Sequence, residues 1–77
     1  MARYFIHILD GKLVRDEEGE DFRDLAAVRT AALRTLGETL RSREERFWDD
    51  GALRIFIEDA NGDTVVSVEA RDLLSGG

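Results

Sequence analysis

The sequence has no cysteine and only one histidine among its 77 residues. The absence of cysteine excludes disulfides and cysteine-based metal centres, and a single histidine excludes a histidine-rich metal cluster. We therefore expect no bound metal and no cofactor. A domain of this length buries only about 60% of the surface of its unfolded chain. Small domains usually compensate with disulfides, metals or self-association, and self-association is the option that remains.

Long apolar runs are also missing. No run approaches the roughly 18 residues of a membrane span, and the first nine residues alternate too much for a secretory signal. We therefore expect a cytoplasmic protein without membrane contact. The net charge of −6 disfavours binding to nucleic acid. The hydrophobic fraction of 43% is typical of a globular domain, and we predict a single domain over residues 1–77 with a short tail at 70–77.

The first third of the chain predicts a hairpin followed by an acidic loop. Residues 4–9 are rich in β-branched and aromatic side chains and lead into Asp10-Gly11, which favours a type I′ turn. The pattern leaves open whether residues 12–15 form the returning strand. Residues 16–21 are almost all acidic, so we predict a solvated loop. Their density would suit a calcium ion, but the spacing is not that of an EF-hand loop.

A long helix is predicted over residues 24–46. Asp24 is a suitable N-cap. Apolar side chains then repeat at helical spacing, namely Leu25, Val28, Ala32, Leu33, Leu36 and Leu40. This stripe predicts one helix face packed against a sheet.

A second hairpin follows the helix. Residues 53–58 alternate with a period of two, Asn61-Gly62 favours a tight turn, and residues 64–69 return. The predicted fold class is therefore α+β in ββαββ order, with one long helix on one face of an antiparallel sheet.

The sheet face opposite the helix carries apolar side chains that a single helix cannot cover. Exposed apolar patches usually mark interaction surfaces. We therefore predict a homodimer in which this face, or an open sheet edge, forms the interface; the alternative is that the tail around Leu73 and Leu74 covers the face. The suspected interface residues are Phe5, His7, Leu9, Phe56 and Val65.

Three groups of residues are of types that can carry chemistry. His7 has no nucleophile or base nearby in sequence, so we predict a structural histidine and no enzyme. Arg29 falls inside the apolar stripe, which predicts either a buried ion pair with Asp10 or the acids of the 16–21 loop, or a head group that reaches solvent. Four further arginines of the helix are interleaved with glutamates, a pattern that disfavours nucleic-acid binding, namely Arg34, Arg41, Arg43 and Arg46.

Several motifs resemble a family of short bacterial proteins described only as a domain of unknown function. The family pattern is Tyr-Phe-Phe-His-Val-x-Asp-Gly, then Asp-Glu-Gly, then Asp-Leu-x-x-Ala-Arg. The matching segments are Arg3-Tyr4-Phe5-Ile6-His7, Asp10-Gly11, Asp16-Glu17-Glu18-Gly19, Asp24-Leu25-Ala26-Ala27-Val28-Arg29, Trp48 and Asp59-Ala60-Asn61-Gly62. The resemblance spans roughly residues 3–69 and departs from the pattern at Ile6 and Val28. It implies the domain boundaries and supplies no activity.

These observations predict a small, acidic protein that is a non-catalytic, self-associating interaction module. The alternative is a small regulatory, antitoxin-like protein that binds a protein or nucleic-acid partner, an analogy that rests on fold alone.

Overall fold

The computed structural model describes residues 1–74 and contains a five-stranded antiparallel sheet with two helices. The strands are β1 (Ala2–Leu9), β2 (Leu13–Val14), β3 (Glu20–Phe22), β4 (Ala52–Asp59) and β5 (Thr64–Arg71), and the helices are α1 (Leu25–Ser42) and α2 (Glu44–Asp50). The α+β class and the long helix on an antiparallel sheet are confirmed. The strand β3 and the helix α2 were not predicted.

The sheet has one edge built from two short strands and one edge built from a long strand. The strand order is β2-β1-β4-β5, and β3 also pairs with β1. The strand β4 pairs with one side of β1. The strands β2 and β3 both pair with the other side of β1, at its opposite ends: Ile8 lies opposite Val14, and Ala2 lies opposite Phe22. The strand β5 forms the second edge, and no described segment pairs with its outer side.

Both predicted hairpins form, but with a different turn geometry. Leu9 pairs with Leu13, so three residues join β1 to β2. Gly11 has φ +93° and Gly62 has φ +86°, whereas no other residue type in the described chain has a positive φ. A type I′ turn requires positive φ at both central residues. The predicted turn type is therefore wrong, and each hairpin uses glycine alone in the left-handed region.

The helix α1 begins where the sequence predicts and ends earlier. The Asp24 carboxylate accepts a hydrogen bond from the Ala27 N–H at 2.9 Å, which satisfies one of the free donors at the helix start. Arg43 leaves the helical conformation with φ −132° and ψ 36°. The chain then forms α2, which ends at Gly51 in the left-handed conformation with φ +71°.

The core lies between α1 and the strands β4 and β5. Val28 and Ala32 of α1 pack against Ile57 of β4, and all three are fully buried. Two further side chains of β4, Leu53 and Ile55, are buried as well. The alternation predicted for residues 53–58 therefore places every second side chain of this strand in the core.

The helix is rotated relative to the predicted stripe. Val28, Ala32 and Thr39 are its buried residues. Leu25 and Leu33 are 38% and 63% exposed, because they lie on the flank of α1 rather than on its inner face.

The prediction of a buried Arg29 is wrong for the same reason. Arg29 follows Leu25 and precedes Leu33 by four residues, so it shares their exposed row. It forms no ion pair or side-chain hydrogen bond with any other residue of the described chain, and the alternative, a head group in solvent, fits the structure.

Candidate interaction surface

The acidic segment between β2 and β3 folds across the open face of β1 and covers His7. The imidazole of His7 is only 1% exposed. Its Nδ1 accepts a hydrogen bond from the Asp16 N–H at 3.0 Å, and its Nε2 lies 2.9 Å from Oε1 of Glu58. Because Nδ1 is an acceptor, the neutral ring carries its proton on Nε2 and donates it to the Glu58 carboxylate. The histidine therefore ties the acidic segment to the sheet.

Between β2 and β3, the side chain of Asp16 accepts the hydrogen bond from β1 that a neighbouring strand would otherwise accept. Its Oδ2 accepts from the Ile6 N–H at 3.1 Å, and its Oδ1 accepts from the N–H groups of Glu18 and Gly19 at 3.1 and 3.0 Å. Partial burial raises the pKa of Asp16, but the backbone donors of Gly19, Ile6 and Glu18 outweigh it, and the pKa is lowered overall. The prediction of a solvated loop over 16–21 is wrong for this residue.

Gly19 lets the same segment approach the sheet closely. Its φ is +75°, and an added Cβ would lie 2.8 Å from Cε2 of the Phe5 ring. A side chain at this position would therefore meet both backbone strain and a steric clash. The turn from Asp16 to Gly19 covers Phe5 as well as His7.

Two of the suspected interface residues on β1 are thus covered by the chain itself. His7 is buried and Phe5 is half-buried beneath the acidic segment. The alternative cover, the tail, does not take this role: Leu73 and Leu74 are 82% and 99% exposed. Residues 75–77 of the predicted tail lie outside the described residues.

Val65 lies on the helix side of the sheet, so its predicted place on the open face is wrong. Ile57 pairs with Val66 and Glu58 pairs with Thr64, which leaves Val65 as the extra residue of a β-bulge. Val65 packs against the core with its neighbour Val66. A bulge shifts the alternation of side chains by one residue, and strict alternation could not anticipate it.

The remaining open face is mostly polar. Leu9 is 38% exposed, and Phe56 is half-buried with its ring 5.0 Å from that of His7. The side chains around them form exposed ion pairs, namely Arg15 with Glu58 at 3.2 Å, Arg54 with Glu69 at 3.8 Å, and Arg71 with Glu69 at 3.2 Å. Among the described residues, the exposed apolar surface on this face is therefore confined to Phe56, Leu9 and Leu13, which pairs with Leu9 and is 45% exposed.

A second polar contact fixes the first hairpin to the helices. Asp10 is 9% exposed and pairs with Arg43 at the α1–α2 junction, while Nη2 of Arg46 lies 3.6 Å from Oδ2 of Asp10. Asp10 is predicted above only as a partner of Arg29, and no local sequence pattern connects Asp10 with Arg43. Two of the four helix arginines are thus engaged within the domain, which weakens their case as a nucleic-acid patch.

Of the exposed large apolar side chains, Leu9, Leu13 and Val14 lie on the first hairpin, and a second group lies on the β5 side of α1. One flank of α1, including Ala27 and Arg34, lines a groove with Ile6 of β1 and Phe22 of β3. The opposite flank therefore faces the β5 edge. Its apolar side chains, together with a neighbour from α2, form what we call the β5 flank, namely Leu25, Leu33, Leu40 and Trp48. The exposed Arg29 lies in the same row, between Leu25 and Leu33. Leu40 and Trp48 line a second groove with Ala70 and Arg71 of β5.

No chemical centre emerges from the described residues. Within residues 1–74, no three His, Asp or Glu side chains are grouped so that they could hold a metal ion. The small cavity beside Asp10, lined in part by Phe47 and Leu53, has a volume of about 10 Å³. The larger hollows on the described surface, such as the groove of about 450 Å³ beside Phe22 and Ala27, are open to solvent. No helix in residues 1–74 is long and apolar enough to cross a bilayer.

The fold and its polar contacts define a small α+β domain whose histidine contacts both the acidic segment and β4. The family model described as "Domain of unknown function (DUF6894)" matches residues 3–71, and the chain belongs to this family. Comparisons with curated proteins and with solved structures found no match. The family resemblance inferred from the sequence is confirmed at this level. The family carries no assigned activity.

Proposed function

We propose that this domain is a non-catalytic interaction module that self-associates. The observation that carries the proposal is the β5 flank, where Leu33 is 63% exposed and Trp48 is 67% exposed beside an unpaired strand edge. Large apolar side chains grouped at one place usually mark a surface that another protein covers.

The environment of His7 supports a non-catalytic role. Both ring nitrogens have partners within the domain, and the ring has almost no contact with solvent. A general acid or base must come within hydrogen-bond reach of the proton that it transfers. A substrate could reach this ring only if the acidic segment moved away.

The small size of the domain supports self-association. A domain of this length has a limited core, and within the described chain no disulfide or metal group adds to it. Association of two copies would bury the β5 flank, and closed two-fold dimers are the commonest soluble assemblies.

Sedimentation equilibrium over a low to high micromolar range tests the proposal. We expect the mass to approach twice the chain mass of 8.7 kDa at high concentration, because burial of the apolar flank favours association. A folded protein that keeps the monomer mass throughout this range would contradict self-association.

A further inference from the structure

We infer that the second copy docks along the outer edge of β5, in antiparallel orientation, with both α1 helices on the same side of one continuous sheet. This inference rests on the proposed function and specifies the surface through which the module self-associates. The occupant is a second copy of this chain.

The β5 edge is the long edge that the described chain leaves open. On the opposite side of the sheet, β2 and β3 pair with β1, and Asp16 takes up the Ile6 N–H between them. The strand β5 spans eight residues, Thr64–Arg71. It contains neither lysine nor proline, two of the residues with which proteins block edge-to-edge pairing; its bulge lies at one end, at Val65, and its charged residues Glu69 and Arg71 have opposite signs.

The outward-pointing N–H groups of β5 follow from the ladder geometry. The Asp72 N–H donates to the Gly51 carbonyl at 2.8 Å, so it points toward the β4 side. Successive N–H groups of an antiparallel strand point to alternate sides. The N–H groups of Ser67, Glu69 and Arg71 are therefore directed away from β4, where a partner strand would accept them.

The position of α1 fits two helices side by side in such a dimer. The helix lies over β4 and β5. If the β5 strands of two copies pair, the two helices lie two strand spacings apart, which is about 10 Å. Packed helices have interaxial distances of about 8–10 Å. The two β5 flanks would therefore meet without a gap.

The arrangement of apolar residues along the flank is self-complementary. Val28, near the start of α1, packs in the cluster that includes Val66, and Leu40, near its end, lies beside Ala70. The helix thus runs in the same direction as β5. A two-fold axis at the middle of β5 brings Leu33 close to its counterpart and places the Leu25 end of one flank beside the Trp48 end of the other.

Charge also favours this edge over the others. Each copy has a net charge of −6, so an interface that brought the acidic segments together would be repulsive. That segment lies against β1, on the far side of β4 from β5. Docking at β5 leaves the two acidic segments at the outer ends of the joined sheet, and the β5 edge itself carries both Glu69 and Arg71.

Two substitutions test the inference by light scattering across a concentration series, with circular dichroism as the check of folding. Ser67→Pro removes one outward N–H, and proline is tolerated on an edge strand when its nitrogen faces solvent. Leu33→Glu places a charge at the centre of the flank. We expect each to raise the dimer dissociation constant at least about tenfold, which corresponds to about 1.4 kcal/mol.

Matched controls keep the outcome unambiguous. Ser67→Ala retains the N–H, and Thr30→Glu places the same charge on the opposite flank of α1, so both should dimerise like the parent. If the parent is a dimer and Leu33→Glu and Ser67→Pro dimerise equally well, the inference is overturned while self-association stands. If the parent is monomeric, the proposed function itself fails. Should Ser67→Pro unfold, Leu33→Glu decides, because that position is 63% exposed in the monomer.

Discussion

Replacement of Ile57 by alanine is expected to lower the free energy of unfolding by about 2–5 kcal/mol. Ile57 has no exposed surface and lies at the centre of the sheet, opposite Ile6 on one side and Val66 on the other. Val28 and Ala32 of α1 pack directly on it. The truncation would leave a cavity where α1 meets β1, β4 and β5, and their backbones cannot close it without breaking the ladder.

Urea denaturation of Ile57→Ala followed by circular dichroism provides the measurement. Since small domains have total stabilities near the lower end of about 5–15 kcal/mol, we expect much of the variant to be unfolded without denaturant. Leu13→Ala is the control, because Leu13 is 45% exposed on β2, and its effect should stay below about 1 kcal/mol. Comparable losses in the two variants would show that the core is misplaced.

Replacement of Asp16 by asparagine is expected to destabilise the domain by about 1–3 kcal/mol at neutral pH. The carboxylate accepts from three backbone N–H groups, two through Oδ1 and one through Oδ2. The amide of asparagine has one acceptor oxygen, so it cannot serve both positions. One of these donors, the Ile6 N–H or the pair in the turn, would lose its partner.

The loss of unfolding free energy caused by Asp16→Asn should be smaller in strong acid than at neutral pH. The pKa of Asp16 is lowered from 3.8 by folding. The stabilisation that it provides is therefore fully present above about pH 3.8 and is lost as the pH falls through the lower folded-state pKa. We expect the difference in unfolding free energy between the parent and Asp16→Asn to be constant at neutral pH and to shrink in strong acid.

Glu17→Gln is the matched control for this experiment. Glu17 belongs to the same segment, is exposed, and forms no hydrogen bond or ion pair with another residue of the described chain. Its replacement should leave stability nearly unchanged at every pH. A loss as large as that of Asp16→Asn would mean that the overall charge of the segment matters, rather than the hydrogen bonds of one carboxylate.

The elements that depend on local sequence were predictable. The long strands follow from alternation, and the start of α1 follows from Asp24, whose carboxylate caps the next turn. The elements that were missed depend on distant contacts. The strand β3 is short and carries two acids, and it exists because β1 offers an unpaired edge. The break between α1 and α2 falls at Arg43, which is held by Asp10 from the first hairpin.

The surface prediction did not anticipate tertiary contacts that change which side chains are covered. Val65 follows the alternating pattern, but the bulge turns it to the helix side. Phe5 and His7 do lie on the open face, yet the acidic segment covers them. Arg29 lies within the apolar stripe on a helical wheel, but the stripe extends past the buried face on to the flank. That flank is the surface now assigned to the second copy.

Amide hydrogen exchange at two protein concentrations tests the central claim most directly. Above the dimer dissociation constant, the amides of Ser67, Glu69 and Arg71 should exchange slowly, and on dilution below it they should exchange much faster. The amides of Val66 and Val68, which point toward β4, should remain protected at both concentrations. A protein with dimer mass in which these three outward amides exchange rapidly and independently of concentration would contradict the account.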